Sequence, residues 1–189
     1  ISALDNGDRY ILKKCFAGRE CDIKKTREIF EAAGNLAKLH IIMRYELEHG
    51  IPEGTKTDEK YRRHNRELKK VRQFTRKVVP KGEFEFAFLK QFDQMYQWAE
   101  AAVEELDRSD YEKLYAEEMK KSGMIHGEYN YHNIIMTKEG IATTNFEKFR
   151  RDIQVEDLYY FLRKCMEKHH YDERLGYRMM RAYDSVNNL

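Results

Sequence analysis

Apolar residues along this chain recur at a helical period over long stretches, and the period changes near Met124. Ile29, Phe30, Ala33, Leu36, Ala37, His40 and Ile41 follow one another at spacings that line one helix face, predicting a helix over 23–45 with Asp22 as its cap. A second helix is expected over 61–82, stopped by Pro80 and Gly82, with Tyr61, Leu68, Val71, Phe74, Val78 and Val79 as its narrow burial stripe. A third, over 82–110, has a wider apolar face made of Phe88, Phe92, Met95, Tyr96, Ala99, Val103 and Leu106. Asp110 is placed to cap a fourth over 111–121, ended by Gly123. From Met124 the runs shorten: "MIHG", "NIIMT" and "GIATTNF" predict small strands and tight loops gathered around a site. Helical spacing returns in "VEDLYYFLRKCMEKHH" and "DERLGYRMMRAYDSV", the second with Gly176 inside. Tyr159, Tyr160 and Phe161 are expected in the core.

Before the first helix, "ISALDNGDRYILKKCF" predicts a β-hairpin, because both central positions of a type I′ turn at Asn6-Gly7 need positive φ. Its flanks are 1–4 and 10–16, and "AGRE" reads as a connector. "EHGIPEGTKTDEK" is expected to be a loop, punctuated by Gly50, Pro52 and Gly54. The order is hairpin, helices, site loops, helices, without an internal repeat. The expected fold class is therefore α+β, mostly α.

Composition narrows the function classes. A chain of 189 residues can bury one sizeable core, and no low-complexity tract interrupts it. The net charge of +2 says nothing about partners, but its distribution does. Between Lys60 and Lys81 stand ten Lys or Arg against one acidic residue, Glu67. Aromatics are not interleaved with those cations as base stacking requires, so nucleic acid is not the expected partner. An acidic partner, an anionic substrate or an assembly surface suits this helix better. Cys15, Cys21 and Cys165 form no C-x-x-C pair, so neither a disulfide framework nor a zinc site is expected, and reduced thiols in a cytosolic compartment are. No apolar run approaches the ~18 residues that span a bilayer, and the start lacks the pattern of a signal peptide. The first residue is not Met, which suggests a fragment or a processed product.

The segment "IHGEYNYHNIIMTKEGIATTNFEKF" carries the candidate chemistry. His126-Gly127-Glu128 followed by Asn133 has the spacing H-G-[acid]-x-x-x-x-N, and Asn145-Phe146-Glu147 follows after a β-turn-β return. Phosphotransfer needs a carboxylate to orient the attacking hydroxyl, and an amide oxygen with a second carboxylate to hold Mg²⁺ against the triphosphate. An acid and an Asn five residues apart on one tight loop can aim at neighbouring points. His132 reads as a loop filler or a ligand contact. His169-His170 reads as a favourable charge placement at a helix C-terminus rather than a metal site.

This segment resembles the catalytic loop and metal-binding turn of the aminoglycoside phosphotransferase and choline kinase-like superfamily. More narrowly, "HGEYNYHNIIMTKEGIATTNFEKFRRDIQVEDLYYFLRKCMEKH" resembles the CotS family of spore coat-associated proteins, and "YILKKCFAGRECDIKKTREIFEAAGNLAKLH" fits that family's hinge strand, connector and first helix. The resemblance implies the C-terminal lobe of a protein kinase-like fold, with 1–21 as the end of the N-lobe strands and hinge, and 22–189 as the helical C-lobe. ATP and Mg²⁺ would bind between the lobes of the full-length protein. Glu128 falls at the catalytic Asp position, and His126 and Gly127 shape the loop. Asn133 matches a metal-binding Asn, Asn145 stands at the second metal position with Phe146 and Glu147 following, and Asp157 matches a structural Asp. The resemblance also implies a place in the mother-cell cytoplasm and at the spore coat surface. Spore coat proteins, or a small-molecule or protein acceptor, would be the partners.

Two departures shape the expectation. Glu128 moves its carboxylate outward by one methylene, about 1.5 Å, where a ~1 Å misplacement can cost on the order of 10²-fold in rate. Asn145 puts a neutral amide where an anionic ligand belongs. Neither a Gly-rich phosphate loop nor a V-A-I-K-like lysine is present, since Lys13 and Lys14 lie too near the hinge. A degenerate kinase fold serving as a binding or assembly module, inactive in phosphotransfer as this fragment and binding no cofactor tightly, is the leading expectation. The other is an active phosphotransferase, with Glu128 as base and Asn133 and Asn145, aided by Glu147, holding Mg²⁺.

Overall fold

The computed structural model describes residues 17–44 and 51–189. The expected hairpin around Asn6-Gly7, with Lys13, Lys14 and Cys15, lies outside the described residues, whereas the first helix ends at Ile42, with Met43 as its C-cap, short of the expected end at Tyr45. The rest is a mostly helical α+β chain: β1 (Gly18–Glu20), α1 (Thr26–Ile42), α2 (Thr57–Lys77), α3 (Glu83–Arg108), α4 (Tyr111–Lys120), β2 (Met124–Ile125), β3 (Ile134–Thr137), β4 (Ile141–Thr143), β5 (Arg150–Arg151), α5 (Val155–Lys168) and α6 (Glu173–Asp184). It divides into two compact units, 1–53 with 118–189, and 54–117.

In the first unit the helix stripes meet as the spacing requires. Ile29, Ala32, Ala33, Leu36 and Ala37 of α1 form one buried cluster with Leu158, Phe161 and Cys165 of α5 and Leu175, Met179 and Tyr183 of α6. Burying a side chain of the Leu or Phe size stabilises by roughly 1.5–3 kcal/mol, and this cluster is the main apolar term of the unit. Gly176 is buried where a Cβ would stand 3.4 Å from Met166, so its smallness suits the α5–α6 contact. Tyr159 departs from expectation and is 58% exposed. Leu158, Phe161 and Cys165, at i, i+3 and i+7, already fill the inward stripe, and Tyr159 lies about 100° around the helix from Leu158.

The strands make two small antiparallel sheets, β1-β3-β4 and β2-β5. Gly18 pairs with Thr137 and Glu20 with Ile135, while Met124 pairs with Arg151 and Ile125 with Arg150. The expected connector "AGRE" is thus a strand, because its backbone finds β3 beside it. Gly18 must be small there, since a Cβ would lie 2.5 Å from the Met136 carbonyl oxygen. Asp22 does not cap α1, which begins at Thr26 after Lys25. Its carboxylate instead accepts the Lys24 N–H at 3.0 Å, closing the turn that leads in. Glu28 takes the Asp22 N–H and pairs with Arg19. The Arg19 guanidinium, with the Asp22 amide, holds the Glu28 carboxyl down to about 2.

The second unit is built on an antiparallel helix pair, read from Arg62 against Asp107, Asn65 against Glu100, and Arg72 over the Phe92 ring. α2 begins at Thr57, four residues before the expected start, with Asp58 and Glu59 suiting its first turn. It stops at Lys77, where Val78 turns extended. The expected stripe is not the buried one: Asn65 and Thr75 are buried, while Phe74 and Val79 are 71% and 86% exposed. Ion pairs, amide hydrogen bonds and cation–π contacts carry the line facing α3, so apolar periodicity alone misplaced it. On α3, Phe92 and Val103 are buried, whereas Met95 stays 53% exposed.

Candidate functional site

The site rests on one buried carboxylate. Asp157, in the first turn of α5, is 2% exposed and accepts the backbone N–H of His126 at 2.6 Å and of Gly127 at 2.9 Å through its two oxygens. His40, on α1, reaches the same carboxylate with Nε2 at 3.2 Å, and its Nδ1 lies 2.7 Å from the Tyr183 hydroxyl. Asn187 donates to that hydroxyl at 2.9 Å. Gln154 ties the outer layer by donating to the carbonyls of His40 and Met124. A buried polar chain therefore runs from α6 through α1 to the loop, each member hydrogen-bonded as burial demands.

On that support the loop takes a fixed shape. Gly127 has φ of 80°, and a Cβ there would lie 2.2 Å from the Lys148 carbonyl oxygen, so only glycine fits. His126 is fully buried and spends both ring nitrogens within the loop. Nδ1 accepts the Glu128 N–H at 3.2 Å, and Nε2 donates to the Thr144 carbonyl at 2.9 Å, which defines the neutral Nε2–H tautomer. The Phe146 ring leans on the imidazole at 4.6 Å between centroids. Asn133 closes a short 3₁₀ turn, Tyr131–Asn133, that Asn130 caps by accepting the His132 N–H.

Asn133 donates Nδ2 to the Glu128 carbonyl at 2.9 Å, which leaves Oδ1 facing the Asn145 amide nitrogen at 3.5 Å. Asn145 is exposed and sits at φ of 66°, a left-handed conformation that Asn tolerates. Glu128 is partly buried, and its carboxylate pairs with the Lys148 ammonium at 3.1 Å. Glu147 is exposed. The structure thus brings His126, Glu128, Asn133 and Asn145 into one loop pair. His132 sits outside that group, paired through Nδ1 with Glu20 at 2.7 Å. His169 donates from Nε2 to the Ile23 carbonyl at 2.6 Å rather than serving the helix dipole alone.

Mg²⁺ calls for hard, preferably anionic oxygens in a near-octahedral array. The loop pair presents two neutral amides, the Glu128 carboxylate already paired with Lys148, and the Glu147 carboxylate, which is exposed to solvent. Among the described residues no group of three or more His, Cys, Asp or Glu side chains is placed to hold a metal ion. This donor set does not fit a resident divalent cation.

Burial pushes the His126 imidazole below its usual range, against the Thr144 carbonyl and the Asp157 charge, which favour the protonated ring. Unfolded His titrates near 6.5, so below that pH the unfolded chain binds a proton that the fold refuses. Stability is therefore expected to fall as pH drops from about 7 toward the lowered folded value. His126→Gln, compared with the unmodified protein by urea midpoint at pH 7.5 and 5.5, is expected to show a smaller loss over that interval.

Mostly helical with short antiparallel strands, the chain has the fold class of the C-terminal lobe of a kinase-like architecture. Against solved structures, the chain is similar to an aminoglycoside phosphotransferase from Alicyclobacillus acidocaldarius subsp. acidocaldarius DSM 446, with a TM-score of 0.77 and 17% identity over 92% of this chain. The match spans 52% of that chain, about half its length. No family model matches the sequence, and no curated protein does. No helix among the described residues is long and apolar enough to cross a membrane.

Sequence reasoning missed Lys148, His40 and Tyr183. The polar role of His40 could have been suspected, as the one ionisable residue among the positions 29–41 that line the apolar stripe. Lys148 carried no signal, because only the fold brings it back to Glu128.

Proposed function

We propose that this chain is the catalytic-loop half of a kinase-like protein kept as a binding or assembly module, with phosphotransfer lost or residual. The observation that carries the reading is Asn145: a neutral amide faces Asn133 where a metal-binding carboxylate would be needed. Positioning and electrostatics supply nearly all catalysis of phosphoryl transfer, so removing the ligand's charge removes much of what the site contributes. The CotS-like segments support a spore coat setting, in the mother-cell cytoplasm and then at the coat surface, with spore coat proteins as partners. The basic face of α2 offers those partners an acidic-surface dock.

A second reading is supported by the intact scaffold under Glu128 and by the likeness in fold to an aminoglycoside phosphotransferase. In it the full-length protein binds ATP and Mg²⁺ and phosphorylates a small-molecule or protein acceptor, with Glu128 receiving the hydroxyl proton. Calorimetric titration of ATP into the full-length protein separates the two. The module reading expects no binding, or binding indifferent to Mg²⁺, and expects Asn145→Asp to introduce a metal-dependent gain of about tenfold, some 1.4 kcal/mol. Binding that already tightens with Mg²⁺ in the unmodified protein overturns it.

A further inference from the structure

We infer that Lys148 is the built-in cation of this site, holding the Glu128 carboxylate in an ion pair that excludes a divalent metal from the loop. The inference rests on the module reading and adds the residue that enforces it.

The first argument is that the Lys148 backbone is held in place. On its N-terminal side the Phe146 ring leans on buried His126, 4.6 Å between centroids. Its own carbonyl lies against Gly127, so close that a single added Cβ would stand 2.2 Å away. On the C-terminal side β5 pairs Arg150 with Ile125, and the Arg150 side chain binds the buried Asp152 carboxylate at 3.0 Å. The stem of Lys148 thus starts from fixed backbone, beside the loop that carries Glu128.

The second argument is charge. The ammonium meets Glu128 at 3.1 Å. The carboxylate is 28% exposed and the lysine 60%, so solvent and ions reach the pair. The flanking donors, Asn133 and Asn145, are neutral, so Lys148 offsets the Glu128 carboxylate and neither amide adds a negative charge beside it. A divalent ion approaching Glu128 would have to displace the ammonium or accept it as a close like-charged neighbour, and Asn145 offers no negative charge in compensation. An aspartate at 145 would reverse that balance, which makes Asn145 and Lys148 two parts of one exclusion.

The probe is Mn²⁺ alone, titrated into the full-length protein and followed by water-proton relaxation. The unmodified protein is expected to bind it only weakly. Lys148→Met, which keeps the aliphatic stem, is expected to tighten Mn²⁺ about two- to fivefold, the scale of one partly exposed charge pair and its loss. Glu128→Gln added to Lys148→Met should abolish the gain, because the freed Glu128 carboxylate is the group the ammonium withholds. An unchanged affinity in Lys148→Met, or a gain that survives Glu128→Gln, overturns the inference. Tight Mn²⁺ binding by the unmodified protein also overturns it. Failure of the module reading shows separately, as Mg²⁺-dependent ATP binding by the unmodified protein. An unchanged Lys148→Met without such binding sinks the Lys148 role alone.

Discussion

Asp157→Ala is expected to lower the free energy of unfolding by about 3–5 kcal/mol, the range for removing one partner of a buried charged network. Among the described residues the carboxylate is the only acceptor of the His126 and Gly127 N–H groups, at 2.6 and 2.9 Å, and it also faces His40 Nε2 at 3.2 Å. Alanine would leave these donors buried without partners, each at about 1–3 kcal/mol, partly offset by relaxation and water entry. Asp157→Asn keeps one oxygen but turns an NH₂ toward one of the two amides, so roughly half the loss is expected. Urea unfolding followed by circular dichroism reads both, and at ~2–4 °C per kcal/mol for a chain of this size the alanine variant should melt about 10 °C lower. A loss under about 1 kcal/mol would mean that the loop keeps its shape without α5. The loop geometry, and with it every functional reading of Glu128, would then need another support.

That support shows which parts of the site could be read in sequence. His126, Gly127, Glu128 and Asn133 lie within eight residues of one another, so local spacing displays them, and the short strands around them follow from the change of period. Asp157 was legible only through resemblance, since nothing local says that a first-turn aspartate will face a loop 30 residues upstream. Its partner His40 and the Tyr183 that His40 bonds in turn lie 143 residues apart, and neither has a marker beyond being polar inside an apolar stripe. Lys148 is one of many lysines until the chain folds it back on Glu128. The helices of the first unit mostly followed their stripes because apolar contacts hold them, with Ile41 of α1 and Tyr159 of α5 left exposed. The α2 stripe was misplaced because α2 meets α3 through Arg62, Asn65 and Arg72, which a hydrophobic pattern counts as solvent-facing. Periodicity therefore recovers interfaces made by the hydrophobic effect and misses those made by charge and hydrogen bonding.

Gly127→Ala is expected to cost about 3 kcal/mol, combining a left-handed backbone penalty of ~1–2 kcal/mol with an overpacking term of ~1–3 kcal/mol. The new methyl would meet the Lys148 carbonyl oxygen at 2.2 Å and the Arg150 guanidinium at 2.8 Å. The guanidinium can swing away, but the carbonyl belongs to backbone that leads straight into β5 and its pairing with β2. Relief must therefore come from moving the 145–150 turn away from the loop. Gly140 separates the two contributions: its φ is also positive, at 140°, yet nothing lies within 4 Å of a Cβ there. Gly140→Ala should cost only the backbone term, about 1–3 kcal/mol. If the two alanines cost the same, steric closeness at Gly127 contributes nothing and the turn is free to shift. If Gly127→Ala costs far more, the turn is held against the loop. Lys148 then reaches Glu128 because the backbone puts it there, rather than by a chance placement of a flexible side chain.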